Sequence, residues 1–169
     1  MRTVMFTDIV GSTALTQKYG DEASVEMVRI HDNLVRMCLS ACEGSEVKHT
    51  GDGIMASFVS PPLAVRCAAM IHQEFARYAA TGQFPLRVCI GAASGWPIER
   101  LNDLFGSTVQ LAARLCAQAE PEQTLISGSV VELCPDLSFQ SLGEMSFKGF
   151  DQPEPVYVAA WSSESDESV

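Results

Sequence analysis

Residues 2–13 read RTVMFTDIVGST, and residues 45–59 read SEVKHTGDGIMASFV. The first segment opens with an apolar, β-branched run, which predicts a buried strand ending at Asp8 and then a helix opened by Ser12 or Thr13. The second segment predicts a hairpin with arms at residues 46–49 and 54–59 and a turn, TGDG, at residues 50–53. These two segments decide the fold because they set how the first three strands are joined.

The rest of the chain continues the alternation of helices and strands. A helix is predicted over about residues 21–42, with an apolar stripe that runs from Val25 to Cys42. Further elements are predicted as a helix over 61–80, a strand over 86–92, an irregular or hairpin connection over 94–103, a helix over 107–119, a strand over 124–127, a helical turn over 130–134, and strands over 139–142 and 156–161. The fold class is therefore α+β, with a ferredoxin-like βαββαβ core and a C-terminal αβ extension. We expect one domain at residues 1–161 and an acidic, disordered tail at 162–169.

This topology has a chemical consequence for two aspartates. A right-handed crossover leaves a gap between strands one and two, and strand three fills that gap antiparallel to strand one. The turn before strand three then lies beside the end of strand one. Asp8 and Asp52 are therefore expected to meet, although 44 positions separate them (52 minus 8).

Composition narrows the functional class. The 169 residues carry a formal net charge of −10, which argues against binding nucleic acid or an anionic membrane through bulk charge. No signal peptide or membrane-spanning apolar run is evident. The six cysteines include no CxxC pair, and five fall in apolar stretches, so we interpret them as reduced residues of a cytoplasmic protein.

Two adjacent carboxylates repel one another, and a hard divalent cation such as Mg²⁺ or Mn²⁺ is the usual compensation. The chain after Asp8 enters a helix through Gly11, Ser12 and Thr13, whose free backbone N–H groups can bind phosphate. Taken singly, an Asp after a strand is more often a helix cap or turn residue, and Gly-Asp-Gly is more often only a tight turn. Their topological adjacency favours a metal–triphosphate site.

Four separated motifs resemble those of class III adenylyl and guanylyl cyclases, in the order found in that family. They cover about residues 2–160 and comprise FTDIVGST at 6–13, GDG at 51–53, DLFGSTVQLAAR at 103–114, and FKG at 147–149 followed by PVY at 155–157. The resemblance implies a phosphorus–oxygen lyase that makes cyclic AMP from ATP and takes part in signal transduction.

The resemblance also assigns roles to individual residues. Asp8 and Asp52, with the Ile9 carbonyl, would hold two Mg²⁺ or Mn²⁺ ions per site, and the segment 10–13 would bind phosphate through Val10, Gly11, Ser12 and Thr13. Lys48 and Asp103 match purine-reading positions and favour ATP over GTP. Arg114 matches a transition-state-stabilising residue and Lys148 a triphosphate-binding lysine. Gln110 stands where most of the family has a ribose-orienting Asn.

Members of this family have their sites at a dimer interface. The resemblance therefore implies a homodimer in which one protomer supplies the aspartates and the other supplies Lys48, Asp103, Gln110, Arg114 and Lys148. An upstream regulatory domain would belong to the protein if this chain is a fragment. Because Gln110 has one methylene more than Asn, the alternative is a weak or inactive domain that binds nucleotide and signals through dimerisation. A palm-type polymerase or diguanylate cyclase is disfavoured, since residues 51–53 do not form its turn motif.

Overall fold

The computed structural model describes residues 1–162. Its strands and helices follow in the order β1 Arg2–Ile9, α1 Ser12–Tyr19, α2 Asp21–Ala41, β2 Ser45–His49, β3 Ile54–Phe58, α3 Pro61–Thr81, β4 Val88–Gly95, β5 Ile98–Arg100, β6 Asp103–Phe105, α4 Ser107–Gln118, β7 Thr124–Ser127, α5 Gly128–Glu132, β8 Gln140–Met145 and β9 Glu154–Val158. The predicted tail at 162–169 lies, apart from Ser162, outside the described residues.

One seven-stranded sheet carries the fold, in the order β2-β3-β1-β4-β7-β9-β8. β3 lies between β2 and β1 and runs antiparallel to both, so β1 and β2 are parallel with β3 in the gap. β4 pairs antiparallel with the other side of β1, and β7 pairs parallel with β4. The predicted ferredoxin-like core and its C-terminal extension are confirmed.

Helices cover both faces of the sheet, because alternate side chains of a strand point to opposite faces. Met5 packs in a core cluster with residues of α2 and α3, whereas Val4 packs in a second cluster with Leu111 and Leu115 of α4. Asp8 is an even number of positions from Val4 and therefore faces α4. Thr7 faces α2.

Two sequence predictions need correction. Val25 was placed on the buried stripe of α2, yet it is 72% exposed. Met27 is buried two positions later, about 200° further round the helix, so Val25 points to the opposite side. The strand predicted over residues 86–92 runs instead over Val88–Gly95, and the connection that follows it is the β5–β6 hairpin, with Leu101 and Asn102 at positive φ.

The cysteines match their prediction. All six are free, five are buried and Cys89 is partly buried. Burial also raises the pKa of the Cys38 thiol to about 12, which keeps it protonated and unreactive. No helix within residues 1–162 is both long enough and apolar enough to cross a membrane.

Candidate metal and nucleotide site

Asp8 and Asp52 lie together at the end of β1. The Ile9 amide donates a hydrogen bond to the Asp52 carbonyl oxygen over 3.1 Å, which fixes the turn at residues 50–53 to the strand. The Ser12 hydroxyl donates to Asp52 Oδ2 over 2.7 Å, so the start of α1 orients this carboxylate. The structure therefore brings together the two residues that the topology argument paired.

The two glycines of the turn explain how it fits against β1. Gly51 has a φ of +89°, a conformation that side chains rarely adopt. A Cβ atom at Gly53 would lie 1.7 Å from the Thr7 carbonyl oxygen, which is a direct backbone collision. The Gly-Asp-Gly sequence is therefore required both by the shape of the turn and by its close approach to the strand.

Electrostatics at this point favour a bound cation. Burial raises the pKa of the Asp8 carboxyl, and the neighbouring Asp52 charge raises it further, while a backbone hydrogen bond from Ile9 lowers it. Burial raises the pKa of Cys89 and Cys116, and the Asp8 charge adds to both increases. The site thus concentrates negative charge that no described side chain neutralises by an ion pair with Asp8.

The donor set suits a hard cation that shares its coordination with a substrate. Within residues 1–162 no group of three or more His, Cys, Asp or Glu side chains is arranged to hold a metal ion. Asp8 and Asp52 alone would leave most coordination positions open. Mg²⁺ and Mn²⁺ are commonly held in this way, by one or two carboxylates together with phosphate oxygens and water. The residues present therefore fit Mg²⁺ or Mn²⁺ better than a dedicated structural metal.

The phosphate-binding segment predicted at residues 10–13 forms the entry to α1. Gly11 adopts the left-handed conformation with φ +60° at the N-cap, and no side chain caps the helix. The Val10 amide already donates to the Arg87 carbonyl oxygen over 2.9 Å. The amides after Val10, at the open N-terminus of α1, are thus better placed to receive an anion than that of Val10 itself.

Helix α4 presents Gln110 and Arg114 on its exposed side. Neither side chain forms a hydrogen bond or ion pair within the described part of the chain. The helix lies very close to β4, because a Cβ at Gly91 would stand 2.1 Å from the Cys116 amide nitrogen. α4 therefore holds these two polar side chains on a rigidly packed support, pointing away from its own core.

Lys48 and Asp103 meet each other, although β2 and β6 are distant in sequence. Lys48 Nζ lies 2.8 Å from Asp103 Oδ2, and the Leu104 amide donates to Asp103 Oδ1 over 2.7 Å. The hydrogen bond from Lys48 lowers the pKa of the Asp103 carboxyl, which keeps this group ionised. The pair presents one hydrogen-bond donor beside one acceptor.

Lys148 is exposed in a turn whose Phe150 amide donates to the Phe147 carbonyl oxygen over 3.1 Å, with Gly149 at φ +91°. Among residues 1–162, Lys148, like Arg114, forms no ion pair with Asp8 or Asp52. The structure thus unites the two aspartates, and separately Lys48 with Asp103, but links neither pair to these cations within one chain.

The cleft beside Asp8 is small for a nucleotide in a single chain. The cleft beside Asp8 has a volume of about 180 Å³ and is lined by Phe6, Thr50, Ala113 and Cys116 among others, whereas drug-sized ligands occupy roughly 300–1,000 Å³. A larger cavity of about 340 Å³ lies near Arg2, at the opposite end of β1, and its charged lining is mainly acidic. Neither Asp8 nor Asp52 lines this larger cavity, so the smaller cleft remains the candidate site.

The sequence motifs assign no role to the histidines, yet two of these residues lie behind the site. His31 Nε2 is 3.0 Å from Thr7 Oγ1, and His49 Nε2 is 3.0 Å from Asp32 Oδ1. A signal was available, because His31 falls on the apolar stripe of α2 next to Asp32, and buried polar groups need partners.

Comparison with known proteins identifies the kind of domain. The family model described as "Adenylate and Guanylate cyclase catalytic domain" matches residues 2–160. The uncharacterized protein Rv2212 of Mycobacterium tuberculosis is 34% identical over 149 residues, covering 88% of this chain and 38% of that protein. A protein named adenylate cyclase from Streptomyces coelicolor is 30% identical over 129 residues, covering 76% of this chain and 33% of its own length.

A solved structure supports the same assignment. The adenylate/guanylate cyclase/hydrolase from Silicibacter pomeroyi superposes with a TM-score of 0.80 at 26% identity, covering 96% of this chain and 98% of that one. The chain thus spans well under half the length of the two curated relatives but nearly all of this solved structure.

Proposed function

The chain belongs to the adenylate and guanylate cyclase catalytic domain family, and we propose that it converts ATP to 3′,5′-cyclic AMP and pyrophosphate at the interface of a homodimer. The observation that carries this proposal is that Asp8 and Asp52 lie together, held by the hydrogen bond from the Ile9 amide to the Asp52 carbonyl oxygen. Two unneutralised carboxylates beside an uncapped helix N-terminus suit a divalent cation with a bound triphosphate.

In the proposed reaction the ribose 3′-oxygen forms a bond to the α-phosphorus, and the bond from that phosphorus to the bridging oxygen of pyrophosphate breaks. The 3′-hydroxyl proton is released to water. Mg²⁺ or Mn²⁺, held by Asp8 and Asp52 with the Ile9 carbonyl, would supply charge stabilisation at the attacking and leaving oxygens. Arg114 would stabilise the charge that develops on the α-phosphate, Lys148 would bind the triphosphate, and Gln110 would orient the ribose.

Base selection is assigned to the Lys48–Asp103 pair. Lys48 can donate to adenine N1, and Asp103 can accept from the N6 amino group. Guanine presents the reverse pattern, with a donor at N1 and an acceptor at O6, so this pair favours ATP. The lowered pKa of Asp103 supports the proposal, because only the ionised carboxylate is purely an acceptor.

The dimer is proposed on the same geometry. Gln110 and Arg114 are exposed and have no side-chain partners within the described chain. A second copy related by a two-fold axis would place them opposite the aspartates of its partner and would create two equivalent sites. It would also enlarge the cleft beside Asp8, which is small for a nucleotide in one chain.

A second candidate rests on Gln110, whose extra methylene relative to Asn changes where its amide sits. An amide displaced by about 1 Å can reduce turnover about a hundredfold. In that case the domain would bind nucleotide and act through dimerisation, with little or no product.

Cyclic-nucleotide production from ATP and from GTP, each in Mn²⁺ and in Mg²⁺, separates these candidates. An adenylate cyclase forms cyclic AMP from ATP in at least one metal and prefers ATP to GTP. Calorimetric nucleotide binding without product would favour the binding domain. Absence of both binding and turnover would contradict both candidates. A Gln110→Asn variant that restores activity to a silent wild type would identify Gln110 as the cause.

A further inference from the structure

A carboxylate behind the site, that of Asp32, is connected by hydrogen bonds to the strand that carries Asp8 and to the turn that carries Asp52. Asp32 lies on α2, is 9% exposed, and accepts two hydrogen bonds at the same oxygen, Oδ1. One comes from His31 Nδ1 at 2.9 Å and the other from His49 Nε2 at 3.0 Å. The two histidines connect this one oxygen atom to two different parts of the site.

The first branch reaches β1. His31 Nε2 is 3.0 Å from Thr7 Oγ1, and the Ile54 amide donates to the same Thr7 oxygen over 3.1 Å. Thr7 immediately precedes Asp8. His31 is fully buried, so its ring is held by α2 and by the neighbouring Phe75 ring, with centroids 5.8 Å apart.

The second branch reaches the turn. The Gly51 amide donates to His49 Nδ1 over 3.2 Å. Gly51 immediately precedes Asp52. Each aspartate therefore follows a residue that is linked through one histidine to the same Asp32 oxygen.

The Gly51 amide fixes the direction of the hydrogen bonds made by His49. A backbone amide can only donate, so His49 Nδ1 accepts from Gly51 and its proton must lie on Nε2, facing Asp32. On the other branch, the tautomer of His31 with its proton on Nδ1 donates to Asp32 and accepts from the Thr7 hydroxyl at Nε2. We call these hydrogen-bonded residues the relay: Thr7, His31, Asp32, His49 and Gly51. All buried side-chain polar atoms of the relay have hydrogen-bond partners, in keeping with the general rule for buried polar groups.

The turn is held mainly by hydrogen bonds. Residues 50–52 are exposed, so apolar packing contributes little to their position. Their other restraints are the bonds from Ile9 to Asp52, from Ser12 to Asp52, and from Thr50 to the Gly53 carbonyl. α2, by contrast, is a 21-residue helix packed into the main core, which makes Asp32 a rigid anchor.

We propose that Asp32, acting through His31 and His49, is a positioning residue that sets the spacing of Asp8 and Asp52 for a divalent cation. It touches neither the cation nor the substrate. This inference rests on the proposed function for the identity of the site, since it takes the two aspartates to be metal ligands. An outer group that orients metal ligands commonly contributes 10- to 100-fold to metal affinity.

The test compares Asp32→Ala and Asp32→Asn with wild type in three measurements: Mn²⁺ affinity by electron paramagnetic resonance, amide hydrogen exchange at Ile9 and Ile54, and thermal unfolding. Asp32→Ala removes the shared acceptor. We expect its Mn²⁺ dissociation constant to rise about tenfold or more, with exchange at Ile9 about tenfold faster relative to core amides such as Leu125. Asp32→Asn keeps an acceptor oxygen at the same place and should recover most of both effects.

His49 offers a second pair of variants that divides the relay. His49→Gln can retain the donor to Asp32 but loses the acceptor for Gly51, whereas His49→Asn can retain the acceptor for Gly51 but loses the donor to Asp32. Because the relay needs both connections, each variant should weaken Mn²⁺ binding. His72→Ala is the control, since it removes another buried histidine–threonine hydrogen bond, to Thr124, away from the site.

The control should lower the melting temperature without changing Mn²⁺ affinity. Unchanged Mn²⁺ affinity in Asp32→Ala, or exchange that accelerates equally at Ile9 and Leu125, would overturn the inference and leave Asp32 a residue of general stability. None of the three measurements requires turnover. A wild type that binds Mn²⁺ but makes no cyclic nucleotide would therefore refute the proposed function while the positioning role is still decided. A wild type that binds no Mn²⁺ would overturn the positioning role together with the proposed function.

Discussion

Gly53 approaches Thr7 so closely that a Cβ atom on the glycine would lie 1.7 Å from the Thr7 carbonyl oxygen. The contact partner is backbone, which cannot rotate away as a flexible side chain can. This approach places the Ile9 amide 3.1 Å from the Asp52 carbonyl oxygen, so the hairpin turn is attached to the strand that carries Asp8. The spacing of the two aspartates therefore depends on the absence of one methyl group.

Gly53→Ala should separate the turn from β1. Overpacking typically costs about 1–3 kcal/mol of unfolding free energy, and we expect loss at the upper end of that range, together with loss of Mn²⁺-dependent activity. Gly128→Ala is a matched control, because its Cβ would meet Pro155 at an ordinary 3.4 Å. Urea unfolding and Mn²⁺ titration of both variants check the prediction. Equal effects in the two would contradict it.

Asp8→Asn should raise stability in the absence of metal while abolishing activity. The pKa of Asp8 is raised in the folded chain, so the folded state favours its protonated form, and ionisation destabilises the fold as pH rises above 3.8, the ordinary value. At pH 7 the variant should gain some tenths of a kcal/mol, the scale of partly exposed charge pairs. The gain should shrink as the solution is acidified toward pH 3.8.

Turnover in the same variant should fall more than about a hundredfold, since a metal ligand matters more than the outer groups around it. Urea unfolding in EDTA at several pH values, beside an assay in Mn²⁺, checks both statements. A variant that is less stable than wild type at pH 7 would show that Asp8 is a structural residue.

Complementation should test whether the site is shared between two copies. Asp8→Ala and Arg114→Ala are each expected to be inactive. When they are mixed, half of the random dimers are mixed dimers with one intact site of two, so about a quarter of wild-type activity should return. Mixing Asp8→Ala with Asp52→Ala is the control, because both residues come from the same side of each site and no intact site can form. Activity in the control, or none in the test mixture, would refute the shared site.

Lys48→Glu combined with Asp103→Cys should change the preferred base. The double variant replaces the donor for adenine N1 with an acceptor for guanine N1–H. We expect the ratio of kcat/KM for ATP to that for GTP to fall at least about tenfold, the cost of a mispaired hydrogen bond to the base. Arg36→Ala is the control, since it removes a nearby exposed ion pair with Glu46 at 2.6 Å. An unchanged ratio would exclude this pair from base recognition.

His72 should make the fold sensitive to acid. Burial lowers its pKa from 6.5 to about 4, so the folded chain binds this proton less readily than the unfolded chain. Stability from this group is complete above pH 6.5 and is lost as pH falls toward 4, by up to about 3 kcal/mol. His72→Gln should flatten the stability profile over that window, although burial lowers the pKa of His31 as well. Unfolding measured between pH 7 and pH 4 checks it.

The sequence by itself determined the order of the first three strands and the pairing of the aspartates. Apolar runs with turn residues at fixed offsets define βαββαβ, and the handedness of crossovers leaves one gap for β3, so the proximity of Asp8 and Asp52 follows from topology. For α2 the apolar pattern predicted the helix correctly but was wrong about the burial of Val25. Val25 continues the apolar spacing, but only packing decides which side of a helix turns toward the sheet.

Tertiary structure alone decided the distances and the partners. Lys48 and Asp103 come from β2 and β6, and their contact depends on how the β5–β6 hairpin folds back, which no local pattern encodes. The relay from Thr7 to Gly51 joins β1, α2 and the β2–β3 turn through hydrogen bonds of about 3 Å. Hydrogen bonds depend on tenths of an ångström, whereas sequence periodicity specifies only which face a residue occupies. The sequence therefore identified Asp8 and Asp52, and the tertiary structure identified Asp32 behind them.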